Sequence, residues 1–233
     1  FYIDTYYSDR EYLSETKTYR SVAYASQIEF RRDSYQLFDR NLLYTPWNKL
    51  FLKDYIDSQG IKFKQTFWDD FPFNLDVVRN VERVVVTDRC YYHFLRARAE
   101  SETSKYREGV YEKRETEHNW LEELYSYWGV NSPEIEEMLA RRYVERLIGC
   151  IENVSNPSCK LGKKEKKAQI HQMISSQRCQ TNLQKGQPKS AYMKLMWVPL
   201  KLKSPGLSYA EGRFIAWVKS RNTKVFSQLK ANR

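Results

Sequence analysis

The 233 residues carry 39 lysines and arginines against 29 aspartates and glutamates, a net charge of +10. No stretch approaches the roughly eighteen apolar residues that a membrane-crossing helix needs. Cys90, Cys150, Cys159 and Cys179 show neither CxxC pairing nor regular spacing, and no signal peptide precedes them, so a soluble globular protein of a reducing cytoplasm is expected rather than a secreted disulfide scaffold.

Residues 1 to 7 read as a strand and the polar stretch 8 to 20 as a hairpin or loop. The chain reads as beginning mid-fold, since a sheet-forming segment at residue 1 has no partner strand upstream. A helix is expected near 33 to 42, then a short one carrying Leu52, Tyr55 and Ile56 that ends at Gly60, then a short extended piece at Ile61-Lys62-Phe63. A helix over about 71 to 80 leads into the β-branched strand Glu82-Arg83-Val84-Val85-Val86-Thr87, and Cys90-Tyr91-Tyr92-His93-Phe94-Leu95 continues extended. Tyr111, Leu121, Leu124, Tyr125 and Trp128 mark an amphipathic helix closed by Gly129, and Asn131-Ser132-Pro133-Glu134 opens another to about Glu152. Polar residues 153 to 157 interrupt the chain, a further helix runs to about Leu183, and Lys185-Gly186-Gln187-Pro188 separates it from a basic tail. The ordering is α/β. It divides into residues 1–104, a helical extension 105–159 and a basic helical region 160–233.

The chemistry concentrates in Phe67-Trp68-Asp69-Asp70-Phe71-Pro72-Phe73-Asn74. Two adjacent carboxylates among aromatic rings meet both desolvation and like-charge repulsion, which raise a carboxylate pKa toward that of a general base. The structural alternative is a helix start: Asp caps well, Pro72 suits a first turn, and Phe73, Leu75, Val77 and Val78 follow as an apolar run. One capping Asp accounts for neither its acidic neighbour nor the rings around it. The two roles are compatible.

The charge is unevenly spread. Residues 160 to 233 hold seventeen Lys/Arg against Glu165 and Glu211, leaving 22 basic and 27 acidic residues in the first 159. In Met193-Lys194-Leu195-Met196-Trp197-Val198-Pro199-Leu200-Lys201-Leu202-Lys203 and in Phe214-Ile215-Ala216-Trp217-Val218-Lys219, bulky apolar residues alternate with lysines, a pattern suited to the headgroup boundary of an anionic leaflet. The alternative is a helical subdomain whose Trp and Met pack inward while its lysines are solvated. Nucleic-acid binding is disfavoured, since no glycine-rich loop, zinc knuckle or aromatic RNA-binding signature accompanies the charge. His93, His118 and His171 make no zinc-type spacing with a cysteine, so any metal would need carboxylate or phosphate ligands.

Pro46-Trp47-Asn48-Lys49-Leu50-Phe51, an acidic pair before Phe73-Asn74, a strand like Arg83 to Thr87, and Tyr91-Tyr92-His93-Phe94-Leu95-Arg96-Ala97-Arg98 occur in this order in bacterial family 2 glycosyltransferases of capsule and exopolysaccharide synthesis. Residues 1 to about 128 resemble that family. The tail is similar, less specifically, to the C-terminal regions of streptococcal and lactobacillal members. The resemblance implies the acceptor-side half of a GT-A fold, few strands and several helices, followed by a helical C-terminal region. It implies inverting transfer from a nucleotide-sugar donor to a saccharide or lipid-linked acceptor, in the cytoplasm and peripherally on the inner face of the plasma membrane.

Residue by residue, the resemblance implies Asp70 as catalytic base, with Asp69 standing where the family has Glu, the same charge on a shorter arm. His93, Arg96 and Arg98, followed by Ser101, Thr103 and Ser104, fall where the family places a mobile loop over the diphosphate, and arginine's planar fork suits phosphate oxygens. His93 has the alternative of a buried strand residue, and one of the two arginines that of a solvated side chain. Trp47 and Trp68 are candidate sugar contacts, with Asn48 and Lys49 bonding to hydroxyls or phosphate; Trp47 is equally a core residue. The Mn or Mg of the complete enzyme, held on an Asp-x-Asp motif, and the nucleotide-binding strand are expected ahead of residue 1, leaving this chain inactive alone. A reading from a different class is a noncatalytic helix-rich module that docks to membrane or to a partner enzyme.

Overall fold

The structure, a computed structural model, describes residues 1–7, 12–96 and 105–221. Among these the fold is mostly helical with a small open sheet. The chain divides into two units, Phe1–Ala99 with Glu117–Ser132, and Glu100–Thr116 with Pro133–Arg233.

In the first unit, β1 (Tyr2–Tyr7) pairs antiparallel with β2 (Tyr12–Lys17) and parallel with β5 (Cys90–Arg96), so that β1 is the central strand. Part of the stretch expected as a hairpin or loop thus forms β2, and the first strand finds both of its partners downstream. A parallel partner requires a crossover connection, and residues between β2 and β5 supply it: β3 (Val22–Ala23), α1 (Gln27–Asp39), α2 (Lys53–Ser58), α3 (Asp70–Arg79) and β4 (Val85–Val86). The strand expected over residues 82 to 87 shortens to β4 because its antiparallel partner β3 offers only Val22 and Ala23.

Helix α1 begins at Gln27, ahead of the expected 33, because Ser26 caps it: its Oγ accepts from Glu29 N at 3.3 Å and Glu29 Oε2 accepts from Ala25 N at 3.0 Å. Ser26 thus satisfies one orphan amide of the first turn, and Glu29 reaches back past the cap to the amide of the residue before it. The core of this unit joins Phe30, Leu37 and Phe38 of α1, Phe71, Leu75 and Val78 of α3, and Leu121, Leu124, Tyr125 and Trp128 of α4 (Val110–Trp128). Two polar links tie these helices: in the interior Ser34 Oγ lies 2.9 Å from Tyr125 Oη, and nearer the surface Trp128 Nε1 donates to Arg79 O at 2.9 Å.

The second unit is built on α5 (Pro133–Ser155), whose buried face includes Ile135, Met138, Leu147, Ile148 and Ile151. The single helix expected up to Leu183 is two, α6 (Lys163–Ser175) and α7 (Gln177–Lys185). Ser176 separates them: its backbone is extended, its Oγ donates to Met173 O at 2.9 Å and accepts from Cys179 N at 3.1 Å, ending one helix and capping the next. After α7, Gly186 lies so close to α5 that an added Cβ would fall 2.7 Å from Arg141 N. The tail forms α8 (Ala191–Lys201), capped by Ser190 Oγ, and α9 (Pro205–Arg221). Glu115 ties this unit together by accepting from Tyr143 Oη at 2.7 Å and from Arg178 Nη1 at 2.8 Å.

Candidate functional site

The acidic pair sits at the entry to α3. Trp68 has φ 55°, the left-handed region, which a bulky residue enters at a cost of order 1–3 kcal/mol and which collects at functional sites. Asp69 follows as N-cap residue with φ −72° and ψ −13°, and its side chain makes no capping bond. Asp70 is the first helical residue. An N-cap in helical rather than extended geometry points its side chain away from the orphan amides, so capping does not explain the pair.

Phe71 and Phe73 anchor this turn from below. Phe71 stacks on Tyr44 at 4.5 Å, and Phe73 stacks on Phe63 at 4.1 Å with Phe51 edge-on at 5.6 Å. Both are core residues. Phe67 and Trp68, edge to face at 5.1 Å, are half-buried and remain beside the carboxylates. Asn74 Nδ2 donates to Asp70 O at 2.7 Å, and its buried Oδ1 has no partner.

Asp70 is half-buried, and its pKa lies above the ordinary carboxylate value of 3.8 because burial and the neighbouring Asp69 charge both disfavour its anion, while Lys49 opposes them. Lys49 Nζ donates to Leu42 O at 2.6 Å, Thr45 O at 2.5 Å and Asn48 Oδ1 at 2.8 Å. Burial pulls the Lys49 pKa down to about 7 and the Asp70 charge pulls it back. Three acceptors match the three donors of an ammonium, which favours the charged form.

Asn48 is 2% exposed, and its Nδ2 donates to Phe1 O at 3.2 Å and Leu42 O at 3.1 Å. Asn48 and Lys49 thus knit the loop of residues 42 to 49 together. Lys49 reaches the acidic pair through its field. Trp47 is half-buried, its ring 4.7 Å from Tyr92 at a 31° tilt. This contact links the loop to β5, where Tyr91, Tyr92 and His93 are exposed. His93 is therefore not a buried strand residue. Arg96 ends β5 opposite Tyr7. Arg98, Ser101, Thr103 and Ser104 lie outside the described residues.

In the first unit, a charged centre that sequence reading passes over is Asp33 in α1. Its Oδ2 accepts from Tyr19 Oη and Tyr24 Oη, each at 2.6 Å, and from Arg20 Nη2 at 3.3 Å, while its Oδ1 accepts from Gln36 Nε2 at 2.6 Å. Nothing in the spacing of residues 19, 20, 24 and 33 announces that convergence. Asn74 had a visible sign, a lone amide inside the apolar run from Phe71 to Val78.

Among the described residues no group of three His, Cys, Asp or Glu side chains converges to hold a metal ion. Asp69 and Asp70 alone do not form a ligand set, so no metal-dependent step is assigned to them. The arrangement can accept a proton: a half-buried carboxylate of raised pKa, free of capping duty, beside aromatic surface and a fixed cation. No protein-family model matches this sequence, and neither a curated protein nor a solved structure is recognisably similar to it.

Proposed function

We propose that the chain is the acceptor-side part of an inverting GT-A glycosyltransferase that moves a sugar from a nucleotide-sugar donor to a saccharide or lipid-linked acceptor in surface polysaccharide synthesis. The observation that carries this reading is the state of Asp70, first in α3, uncommitted to a cap and raised in pKa by burial and by Asp69. The order of the motifs around residues 46 to 51, 69 to 74 and 90 to 98 supports it as a resemblance.

In the proposed step, ionised Asp70 takes the proton of an acceptor hydroxyl while that oxygen bonds to the anomeric carbon. The bond from that carbon to the diphosphate breaks on the opposite face, and the leaving group keeps the electron pair, inverting the centre. Trp47 and Trp68 offer ring faces for a sugar, with Tyr92 beside Trp47. Lys49 acts as a positioning residue, its field holding Asp70 nearer to ionisation. Arg96, Arg98 and His93 are assigned to the departing diphosphate. The donor and the divalent metal, Mn or Mg, that this reading calls for are assigned to no residue of this chain. The protein works in the cytoplasm, peripherally on the membrane.

The test is release of nucleoside diphosphate from a panel of nucleotide sugars with Mn or Mg and lipid-linked acceptors, for this chain and for a form extended upstream by about a hundred residues, roughly a domain half. Release from the extended form alone, lost with Asp70→Asn, supports the reading. Silence from a folded extended form across that panel moves the weight to a noncatalytic interaction module.

A further inference from the structure

The tail of the second unit resolves two sequence readings into one surface. On α8, Met193, Met196, Trp197 and Leu200 are buried, while Leu195 is 63% exposed, Val198 48% and Leu202, just past its end, 64%. Positions i, i+3 and i+7 share one helix face. On α9, Ile215 and Ser208 are buried, while Leu207, Phe214 and Trp217 are exposed by half or more, with exposed Ala210 between them. They recur at i, i+3, i+7 and i+10, again one face. The two helices pack on each other and are joined by residues 202–204. Phe214 and Trp217 stack at 5.9 Å in the open.

Charge decides what covers this surface. Ala191–Lys201 and Pro205–Arg221 with the residues between them contain six basic residues and one acid, Glu211. Lys194, Lys201 and Lys203 are exposed, as is Arg213, and no ion pair among the described residues holds them. At 100° per residue Lys194 and Lys201 fall along one flank of the α8 stripe and Arg213 along a flank of the α9 stripe. Glu211 is half-buried, with Oε2 fully enclosed. No helix among the described residues is long and apolar enough to cross a membrane.

An apolar stripe bearing Trp and Phe, edged by cations and devoid of exposed carboxylate, is the composition of a helix that lies in the plane of an anionic interface. We propose that the outward stripes of α8 and α9 form a docking face for an anionic lipid surface, with Phe214 and Trp217 entering the acyl boundary and the flanking lysines at the headgroups. This deepens the peripheral placement given above. It does not rest on the transfer chemistry, and lipid binding reads it without turnover.

The experiment is flotation of the full chain with vesicles of phosphatidylcholine alone and of phosphatidylcholine with about 30 mol% phosphatidylglycerol, at low salt and at about 0.5 M salt, where surface charge is largely screened. Expected are at least about tenfold tighter partition to the anionic vesicles and partial survival in high salt. F214S/W217S should lose at least about tenfold on both lipids, while K194Q/K201Q/K203Q should lose mainly the anionic preference. All substituted residues are exposed, and circular dichroism checks the fold. Absence of flotation by the folded wild type, or flotation unchanged in F214S/W217S, overturns the proposal. So does light scattering that shows a wild-type dimer without lipid binding and an F214S/W217S monomer, which would assign the face to a second copy.

Discussion

Lys49 acts on Asp70 without forming an ion pair with it. Its Nζ is taken up by Leu42 O, Thr45 O and Asn48 Oδ1, and from there its charge lowers the Asp70 pKa against the burial and the Asp69 charge that raise it. A cation held this way cannot swing to a substrate phosphate without abandoning three hydrogen bonds. It is a fixed element of the field around Asp70, and a basic residue near the acids is explained without assigning it to a ligand.

Lys49→Met tests that coupling. Removing the charge should move the Asp70 pKa further up, seen as an upfield-to-downfield titration of its carboxyl carbon at higher pH than in wild type. The substitution leaves three acceptors short of a donor and should cost about 1–3 kcal/mol of stability. A pKa unchanged in a folded variant would remove Lys49 from the site.

Asp70→Asn separates base from cap by the sign of a stability change. A cap contributes, and its loss costs about 1 kcal/mol. A carboxyl whose folded pKa is raised does the opposite: stability is fully present below the unfolded pKa and declines as pH rises through the folded one. Asp70→Asn should therefore match wild type in acid and be the more stable of the two at pH 7, by an amount that solvent screening of the half-exposed carboxyl keeps small. Thermal unfolding at two pH values reads this in the chain alone, without substrate. A loss of about 1 kcal/mol at both would restore the cap.

Helix α3 is legible because an apolar run follows Asp and Pro, and the first strand because Tyr2, Ile3, Thr5, Tyr6 and Tyr7 are sheet-forming residues. The early start of α1 was also written in the chain, as Ser26 and Glu29 at capping-box spacing, but the weaker periodicity after it draws the eye to residue 33. What local pattern cannot carry is partnership at a distance. The parallel pairing of β1 with β5 joins residues some ninety positions apart, such as Ile3 with Tyr92. The acceptors that hold Asn48 and Lys49 inward are mostly backbone carbonyls, which have no letter in the sequence. The left-handed backbone of Trp68 likewise has no letter in the sequence, since a tryptophan carries no preference for that region.

Asp33 is the polar hub of the first unit. Burial alone would raise its pKa, but hydrogen bonds from Tyr19, Tyr24 and Arg20 more than offset that and hold it below 3.8. Its contribution is present above the unfolded pKa and is lost as pH falls through the folded one, so the first unit should soften in strong acid. Asp33→Ala strands two tyrosine hydroxyls and should cost about 2–4 kcal/mol at neutral pH, with the difference from wild type shrinking in acid. Denaturant unfolding of both proteins at pH 7 and in acid measures it. An Asp33→Ala loss independent of pH would mean that packing, not charge, sets its worth.

Glu211 in α9 gives the second unit the opposite dependence. Burial pushes its pKa up to about 7, and its enclosed Oε2 has no partner. The enclosure is tight because Gly212 brings α9 against α5: a Cβ there would fall 2.5 Å from Ser155 Oγ. Between its unfolded value of 4.5 and about 7 the folded state holds a proton that the unfolded state has released, so stability falls as pH rises through that window and levels off above it. Glu211→Gln removes the charge and keeps the shape. It should flatten this slope and make the protein more stable than wild type at pH 8, by about 1–2 kcal/mol after allowing for the half-exposed side chain. Thermal unfolding of both proteins across pH 4 to 8 decides it, and parallel curves would show that Glu211 ionises in the fold as freely as in water.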